Sequence, residues 1–114
     1  MEQGGRLLTF LGTGRYERVR YLLEGRAWTS DWVAEALVRI ADGAGAGYRE
    51  ILLFGTPEAQ ATNWTPEREA RLREAAESVR VVTIPHGRTE GELWEIFSLI
   101  TEEIEPEETI DFDI

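Results

Sequence analysis

The chain has 114 residues, a formal net charge of −10, and 42% hydrophobic against 30% charged residues, which is the profile of one globular domain. It has no cysteine and one histidine, which excludes disulfides, thiolate metal sites and a multi-histidine metal site within one chain. No apolar run approaches the roughly 18 residues that a membrane-spanning helix needs. The first residues lack the layout of a signal peptide. We therefore expect a cytoplasmic domain without a metal ion or cofactor.

The acidic residues are concentrated in the second half of the chain. Residues 1–57 contain seven arginines and seven acidic residues, whereas residues 58–114 contain five arginines and fifteen acidic residues. Such a surface repels duplex nucleic acid, because binding to duplexes requires that phosphates be neutralised. Four arginines nevertheless lie close together, at Arg15, Arg18, Arg20 and Arg26. We expect no duplex nucleic acid and no membrane as partners, but a small anion is compatible with this local excess of positive charge.

The first half of the chain predicts two strands and a helix. A buried strand covers residues 6–11 and ends at a glycine-rich turn, and a half-exposed strand with alternating polarity covers residues 17–24. Gly25 is predicted to break the second strand. Thr29, Ser30 or Asp31 then caps a helix over residues 32–42. Its inward face is predicted to carry Trp32 or Val33, followed by Ala36, Leu37 and Ile40.

The second half alternates strands and helices more regularly. Strands are predicted over residues 50–54, 79–84 and 107–114. A long loop follows the first of them, and Thr65, Pro66 and Glu67 then start a helix that runs to about Ser78. A capping box of Thr89 and Glu92 opens a last helix through residue 104. Its predicted inward side chains are Leu93, Ile96, Phe97 and Ile100, and Trp94 is also assigned to the core.

Apolar strands that alternate with helices predict an α/β fold. We expect a Rossmann-like, mostly parallel sheet with helices on both faces, within one domain over residues 1–114. Ligands of such sheets bind beyond the carboxyl ends of the strands. The turns that directly follow the predicted strands are therefore the candidates for the binding site.

Three predicted strands end in turns that suit a ligand with phosphate groups. Glycine lets backbone amides approach a ligand closely, and threonine adds a hydroxyl group. The turns are Gly12-Thr13-Gly14, Gly55-Thr56-Pro57 and Pro85-His86-Gly87, with Arg15 directly after the first. The alternative is that strand-to-helix turns simply need glycine and proline. His86 is a ligand contact or general base, or else a loop histidine without such a role. Trp64 stacks on a base of the ligand, or else packs against the rest of the protein.

The common nucleotide-binding motifs fit poorly. No third glycine follows Gly12 and Gly14 at the spacing of the dinucleotide fingerprint, and no Gly-Lys-Ser/Thr of a P-loop occurs. Arg80 and His86 have the spacing of a ribonuclease motif that lies on helices, but the residues between them predict a strand. Nicotinamide chemistry and ATP hydrolysis are therefore not expected, and no catalytic residue is assigned.

Four segments in order give the sequence a more specific likeness. LTFLGTGRY (8–16), ILLFGTPEA (51–59), IPHGRTEGELWEIF (84–97) and IDFDI (110–114) together span nearly the whole chain. With these segments the chain resembles the CARF domain, the CRISPR-associated Rossmann fold, of type III CRISPR accessory proteins. In that family the strand matching residues 110–114 continues into a Thr-His-Gly turn, and many members carry an effector domain, often a HEPN ribonuclease.

The resemblance implies a sensor domain. CARF domains form homodimers and bind cyclic oligoadenylate, which then activates the attached effector. Carried over to this sequence, the ligand-binding residues are Gly12, Thr13, Gly14, Arg15, Gly55, Thr56, His86 and Gly87. The chain departs from the family pattern because it ends at Ile114, before the Thr-His-Gly turn, which suggests a fragment, a gene truncated at its C-terminus or an unusual minimal variant. No effector ribonuclease activity carries over. The alternatives are a ring nuclease that degrades cyclic oligoadenylate and a Rossmann-like dimerisation module that binds no nucleotide.

Overall fold

The computed structural model describes residues 5–14, 17–23, 25–43, 47–104 and 110–113 of the chain. The strands are β1 (Arg6–Phe10), β2 (Val19–Leu23), β3 (Arg26–Ser30), β4 (Glu50–Gly55), β5 (Ser78–Thr83) and β6 (Ile110–Asp113). The helices are α1 (Val33–Gly43), α2 (Pro57–Asn63), α3 (Pro66–Arg73) and α4 (Glu90–Glu103). None of the helices in these ranges has the length and apolar character needed to cross a bilayer.

The strands form two sheets. The larger has the order β5-β4-β1-β6, and each of its neighbouring pairs is parallel. Leu7 of β1 lies between Ile51 of β4 and Asp111 of β6, which fixes the register. Strands β2 and β3 form a separate antiparallel hairpin. The predicted α/β fold with a Rossmann-like, mostly parallel sheet is confirmed.

Alternating residues of the central strands build a core on each face of the larger sheet. On one face, Leu7 and Leu53 belong to a cluster that includes residues of α1, α2 and α3. On the other face, Leu8 and Leu52 belong to a cluster against which three side chains of α4 pack. Because successive side chains of a strand point to opposite faces, a strand buried on both faces reads as a continuous apolar run. Helices cover both faces, as the sequence predicted.

The hairpin between β1 and α1 was only half predicted. The second predicted strand is present as β2, but the sequence did not predict the strand β3 that follows it. Gly25 breaks the strand structure as predicted. It adopts φ of +79° where the chain reverses into β3, a left-handed conformation that glycine takes readily. Strand β3 contacts α1. Of the three proposed cap residues, Ser30 is the one whose Oγ accepts a hydrogen bond from the N–H of Trp32, at 3.0 Å.

Two helices, rather than one, connect β4 to β5. Helix α3 begins as predicted, with Thr65 accepting from the N–H of Arg68, but it ends at Arg73 and not near Ser78. The loop predicted before it contains α2, so that prediction was wrong. The sequence Thr-Pro-Glu occurs at both helix starts, at residues 56–58 and 65–67. The same cap, first-turn proline and acidic residue therefore signal both helices.

The orientation of α4 differs from the prediction. Half of the predicted capping box is present: Thr89 accepts from the N–H of Glu92, whereas the Glu92 carboxylate accepts from the N–H of Arg88. Ile96 and Ile100 pack on the sheet as predicted. The other three assignments were wrong, because Leu93, Trp94 and Phe97 are 56, 62 and 58% exposed. The helix carries apolar residues around more than one side, and the sheet contacts only the side that also presents Leu99.

The inward face of α1 also differs in part from the prediction. Ala36 and Ile40 are buried as predicted, and so is Trp32 just before the helix. Val33 is 38% exposed, and Leu37 is half-buried. The helix buries Ala34 and Val38 in addition, because it lies between the sheet and the hairpin and is covered on two sides. A single amphipathic stripe does not describe such a helix.

An ionic cluster joins the strands at the amino end of the larger sheet. The buried Arg6 of β1 forms ion pairs with Glu50 of β4 and Glu103 of α4, and it also donates to the carbonyl oxygen of Glu103. Arg80 of β5 pairs with the same two carboxylates at 2.8 and 2.7 Å. Its hydrogen bond to Glu103 is the main cause of a lowered pKa of that carboxyl. At this end of the sheet, two arginines and two glutamates therefore pair with one another across the strands.

Candidate ligand-binding site

The strand order marks one place at the carboxyl edge of the larger sheet. Strands β4 and β5 lie on one side of β1, and β6 lies on the other. In open parallel sheets of this type, ligands bind outside the carboxyl ends of the strands where the order reverses. Here that place is the end of β1 beside the end of β6. The turn that follows β1, residues 12–14, is exposed.

The first turn is held by a side chain from α2. The Nδ2 atom of Asn63 donates to the carbonyl oxygens of Gly12 and Gly14, at 2.7 and 3.0 Å. Asn63 is 5% exposed, so these bonds form on the buried side of the turn. The position of Gly14 has open space where a Cβ would stand. Thr13, between the two bonded glycines, is exposed.

The second turn is more enclosed than the first. Gly55 is buried, and its carbonyl oxygen accepts from the N–H of Ile84 at 3.1 Å and from Nε2 of Gln60 at 2.9 Å. A Cβ at Gly55 would lie 3.3 Å from both Gln60 Cγ and Leu11 Cβ. Thr56 caps α2 by accepting from the N–H of Ala59. Close packing thus accounts for the glycine, and the threonine hydroxyl already has a partner.

The third turn lies between β5 and α4. Its His86 is exposed. Gly87 has φ of +78°, and a Cβ there would meet side-chain atoms of Ile96 and Leu93 at 3.3 Å. Both facts require glycine for structural reasons. The end of β5, just before this turn, is joined to the second turn, since Gln60 Nε2 also donates to Thr83 Oγ1 at 2.9 Å.

The charges around these turns favour the first as a place for an anion. Glu90 and Glu92 occupy the first turn of α4, and a carboxylate oxygen of Glu92 accepts from the N–H of Arg88. These carboxylates complement the start of that helix and oppose an added anion there. Exposed Arg18 and Arg20 follow the first turn in sequence. The candidate Arg15 lies outside the described residues.

The tryptophans near the element boundaries pack within the protein. Trp64 is half-buried against the core and makes an edge contact with Trp32, with ring centroids 6.2 Å apart. Packing, rather than a stacking platform, is therefore what the structure shows for Trp64. Trp28 of β3 lies under the guanidinium group of Arg39, 5.3 Å from the ring centroid. The Trp28–Arg39 pair thus joins β3 to α1.

The structure adds two residues that the sequence interpretation missed. From one short helix, Asn63 and Gln60 bind the first turn, the second turn and the last residue of β5. Their amide side chains carry no motif, and the segment was taken for a loop. The repeated Thr-Pro-Glu signal would have identified the helix, but the partners of its side chains depend on tertiary contacts that no spacing predicts.

Comparison with known proteins gives no further guide. No protein-family model matches the chain, and no curated protein matches it. The eight predicted ligand-binding residues therefore stay predictions. The described geometry brings the three turns to one edge of the sheet.

Proposed function

We propose that this chain is a cytoplasmic sensor domain for cyclic oligoadenylate, of the kind found in type III CRISPR antiviral accessory proteins. The ligand is a ring of adenosine units joined by phosphates, so its site needs hydrogen-bond donors for phosphate oxygens. The domain binds and signals, and it has no assigned catalytic residue. Its ligand contacts are proposed at the three turns, with residues 12–15 as the principal anion contacts.

The observation that carries the proposal is the exposed first turn at the reversal of strand order. Ligands of open parallel sheets commonly bind at such a position, which supports the proposal. Asn63 binds the carbonyl oxygens of Gly12 and Gly14 from the buried side, which leaves the solvent side of the turn free of those acceptors. Arg15, next in sequence, supplies a positive charge beside the turn, and it is one of the seven arginines that balance the seven acidic residues of residues 1–57. Screening over about 8 Å at physiological salt weakens the opposing field of the distant acidic residues.

The proposed partner in solution is a second copy of the chain. Cyclic oligoadenylates have approximate rotational symmetry, and a two-fold homodimer presents the same turns twice to such a ring. The first and second turns of each copy then border a shared cleft. Light scattering at high micromolar concentration is expected to give the mass of a dimer, and a monomer at that concentration contradicts this part of the proposal.

Calorimetric titration with cyclic tri-, tetra- and hexa-adenylate tests the proposal directly. We expect one of the three rings to bind. Arg15→Glu is expected to abolish the binding and leave the melting temperature nearly unchanged. Arg49→Glu is the matched control, because it makes the same change of charge at an exposed residue beside the amino end of β4. Absence of binding by all three rings, or equal loss in both variants, overturns the proposal.

A gel of the same mixtures separates sensing from cleavage. A sensor leaves the ring intact over hours, whereas a ring nuclease produces linear oligoadenylate. If linear products form only when this chain is present, the chain is a ring nuclease and the sensor proposal is wrong.

A further inference from the structure

We infer that Asn63 is the positioning residue that makes the first turn a site for anions. The inference rests on the proposed function for the identity of the ligand, but its structural part concerns the turn alone. Two carbonyl oxygens, from Gly12 and Gly14, converge on the single nitrogen Nδ2 of Asn63. A turn whose oxygens meet at one atom is folded around that atom, with its acceptors on the inner side.

The direction of one amide follows from the planarity of the peptide bond. The carbonyl of Gly12 and the N–H of Thr13 belong to the same peptide unit, and the structure has no cis peptide bond among its described residues. In a trans unit the two groups point in opposite directions. Because the oxygen of Gly12 points to the buried Asn63, the N–H of Thr13 points away from it. The exposed side of the turn therefore presents the positive end of this peptide dipole.

Asn63 is itself fixed by the core. Its main-chain carbonyl oxygen accepts from Nη1 of Arg68 at 3.2 Å. The Nη2 atom of the same guanidinium donates to the carboxylate of Asp31, also at 3.2 Å. The guanidinium also lies over the ring of Trp32, 5.9 Å from its centroid. Asn63 is the last residue of α2, so the helix end and the arginine together fix its backbone, from which the side chain reaches the turn. The first turn is thus positioned by elements that follow β4, far away in sequence.

Helix α2 holds the second turn and the end of β5 by the same kind of group. Gln60 Nε2 binds the carbonyl oxygen of Gly55 and the hydroxyl of Thr83. One short helix therefore holds the ends of β1, β4 and β5 with two neutral amides. A neutral amide suits this buried place, because a carboxylate there would repel both the carbonyl oxygens and the anion.

The experiment compares Asn63→Asp with Thr62→Asp. The first keeps the size of the side chain and replaces the donor Nδ2 by an acceptor. The second adds the same negative charge at the exposed neighbouring residue and leaves the donor intact. Asn63→Ser is the second variant, since it removes both hydrogen bonds to the turn without burying a charge. It keeps the test valid if the aspartate variant fails to fold.

Two measurements separate this inference from the proposed function. Without ligand, amide chemical shifts and nitrogen-15 relaxation of residues 12–14 should change in Asn63→Ser and Asn63→Asp but not in Thr62→Asp. With the cyclic oligoadenylate that binds the natural chain, the dissociation constant should rise at least tenfold for the Asn63 variants and less than threefold for Thr62→Asp. Unchanged amide signals in folded Asn63 variants overturn the inference, whether or not any ring binds. Equal affinities of the natural chain and the Asn63 variants overturn it as well.

Discussion

The two ends of the larger sheet are held together by different chemistry. At the amino end, two arginines and two glutamates from β1, β4, β5 and α4 form ion pairs across the strands. At the carboxyl end, the neutral amides of Asn63 and Gln60 bind backbone oxygens and one hydroxyl group. Both arrangements connect three neighbouring strands, but the first uses charged side chains and the second uses neutral amides.

The difference distinguishes an end whose charges pair with one another from an end that carries the proposed ligand site. Charges at the amino end find their partners within the protein, so that end offers little to a charged ligand. The amides at the carboxyl end satisfy inward carbonyl oxygens and leave the exposed side of the first turn available. A substitution at the amino end should therefore change stability without changing binding. One at the first turn should do the opposite.

Arg6→Met gives the largest expected loss of stability. The arginine is 5% exposed and pairs with Glu50 and Glu103. Its removal leaves two partly buried carboxylates with Arg80 as their remaining cation. Breaking a buried pair by removing one partner costs about 3 kcal/mol at the lower end of the observed range. Denaturant unfolding measures this loss, and binding of cyclic oligoadenylate by the folded protein should be unchanged.

Arg73→Met is the control for that measurement. Its ion pair with Glu69 is formed by two exposed side chains one helical turn apart, and its Nη2 atom also donates to the carbonyl oxygen of Val79 at 3.2 Å. An exposed pair contributes below about 1 kcal/mol and a hydrogen bond about 1 kcal/mol, so the expected loss stays below that of Arg6→Met. Equal losses in the two variants would show that burial does not distinguish the amino-end cluster from a surface pair.

Gly87→Ala is expected to have the next largest effect. The residue has φ of +78°, and its new Cβ would lie 3.3 Å from atoms of Ile96 and Leu93. A left-handed backbone costs an alanine about 1–2 kcal/mol, and the packing adds to this. Gly91→Ala is the control, since the nearest atom to its added Cβ lies at 3.9 Å. A Gly87→Ala protein as stable as the natural one would remove the structural reason for that glycine.

The sequence predicted the parts of this comparison that depend on local pattern. The apolar runs of β1, β4 and β5 and the threonine caps at Thr65 and Thr89 are local signals, and the structure has all of them. The strand ends were therefore found as one edge of a sheet. What holds that edge was missed, because the link between Asn63 and Gly12 joins residues 51 positions apart. No periodicity encodes such a contact.

The faces of the helices show the same limit. Periodicity placed Ile96 and Ile100 of α4 correctly, but it gave no reason to separate them from Trp94 and Phe97. Apolar side chains occur on both sides of this helix, and the sheet selects one side through the position of β6 and the turn at Gly87. That choice is made by tertiary packing.

Glu103→Gln tests the ionic character of the amino end through pH. The hydrogen bond from Arg80 is the main reason that the pKa of Glu103 lies below its ordinary value of 4.5. A lowered folded-state pKa contributes stability above the unfolded value, and this stability is lost as the pH falls through the folded value. Between pH 7 and acid below 4.5, the natural chain should therefore lose more stability than Glu103→Gln, by about 1 kcal/mol for this partly exposed group.

The neighbouring Glu102→Gln serves as the control for the pH series. Glu102 is exposed, and the substitution removes the same charge. It should reproduce the pH dependence of the natural chain. If Glu102→Gln flattens the curve as much as Glu103→Gln does, net charge rather than the amino-end cluster explains the effect.

Gly14→Ala has the smallest expected effect on stability and so sharpens the contrast with Gly87. Its added Cβ would meet no atom within 4 Å, and its φ lies outside the left-handed region. The free energy of unfolding should change by less than about 0.5 kcal/mol, as for other exposed substitutions. Binding of cyclic oligoadenylate should nevertheless weaken, because the methyl group occupies the open space through which a phosphate approaches the turn. Calorimetry and denaturant unfolding of the same protein provide both numbers. Intact binding would mean that the ligand does not reach Gly14, whereas a large loss of stability would mean that this glycine, like Gly87, is required by the fold.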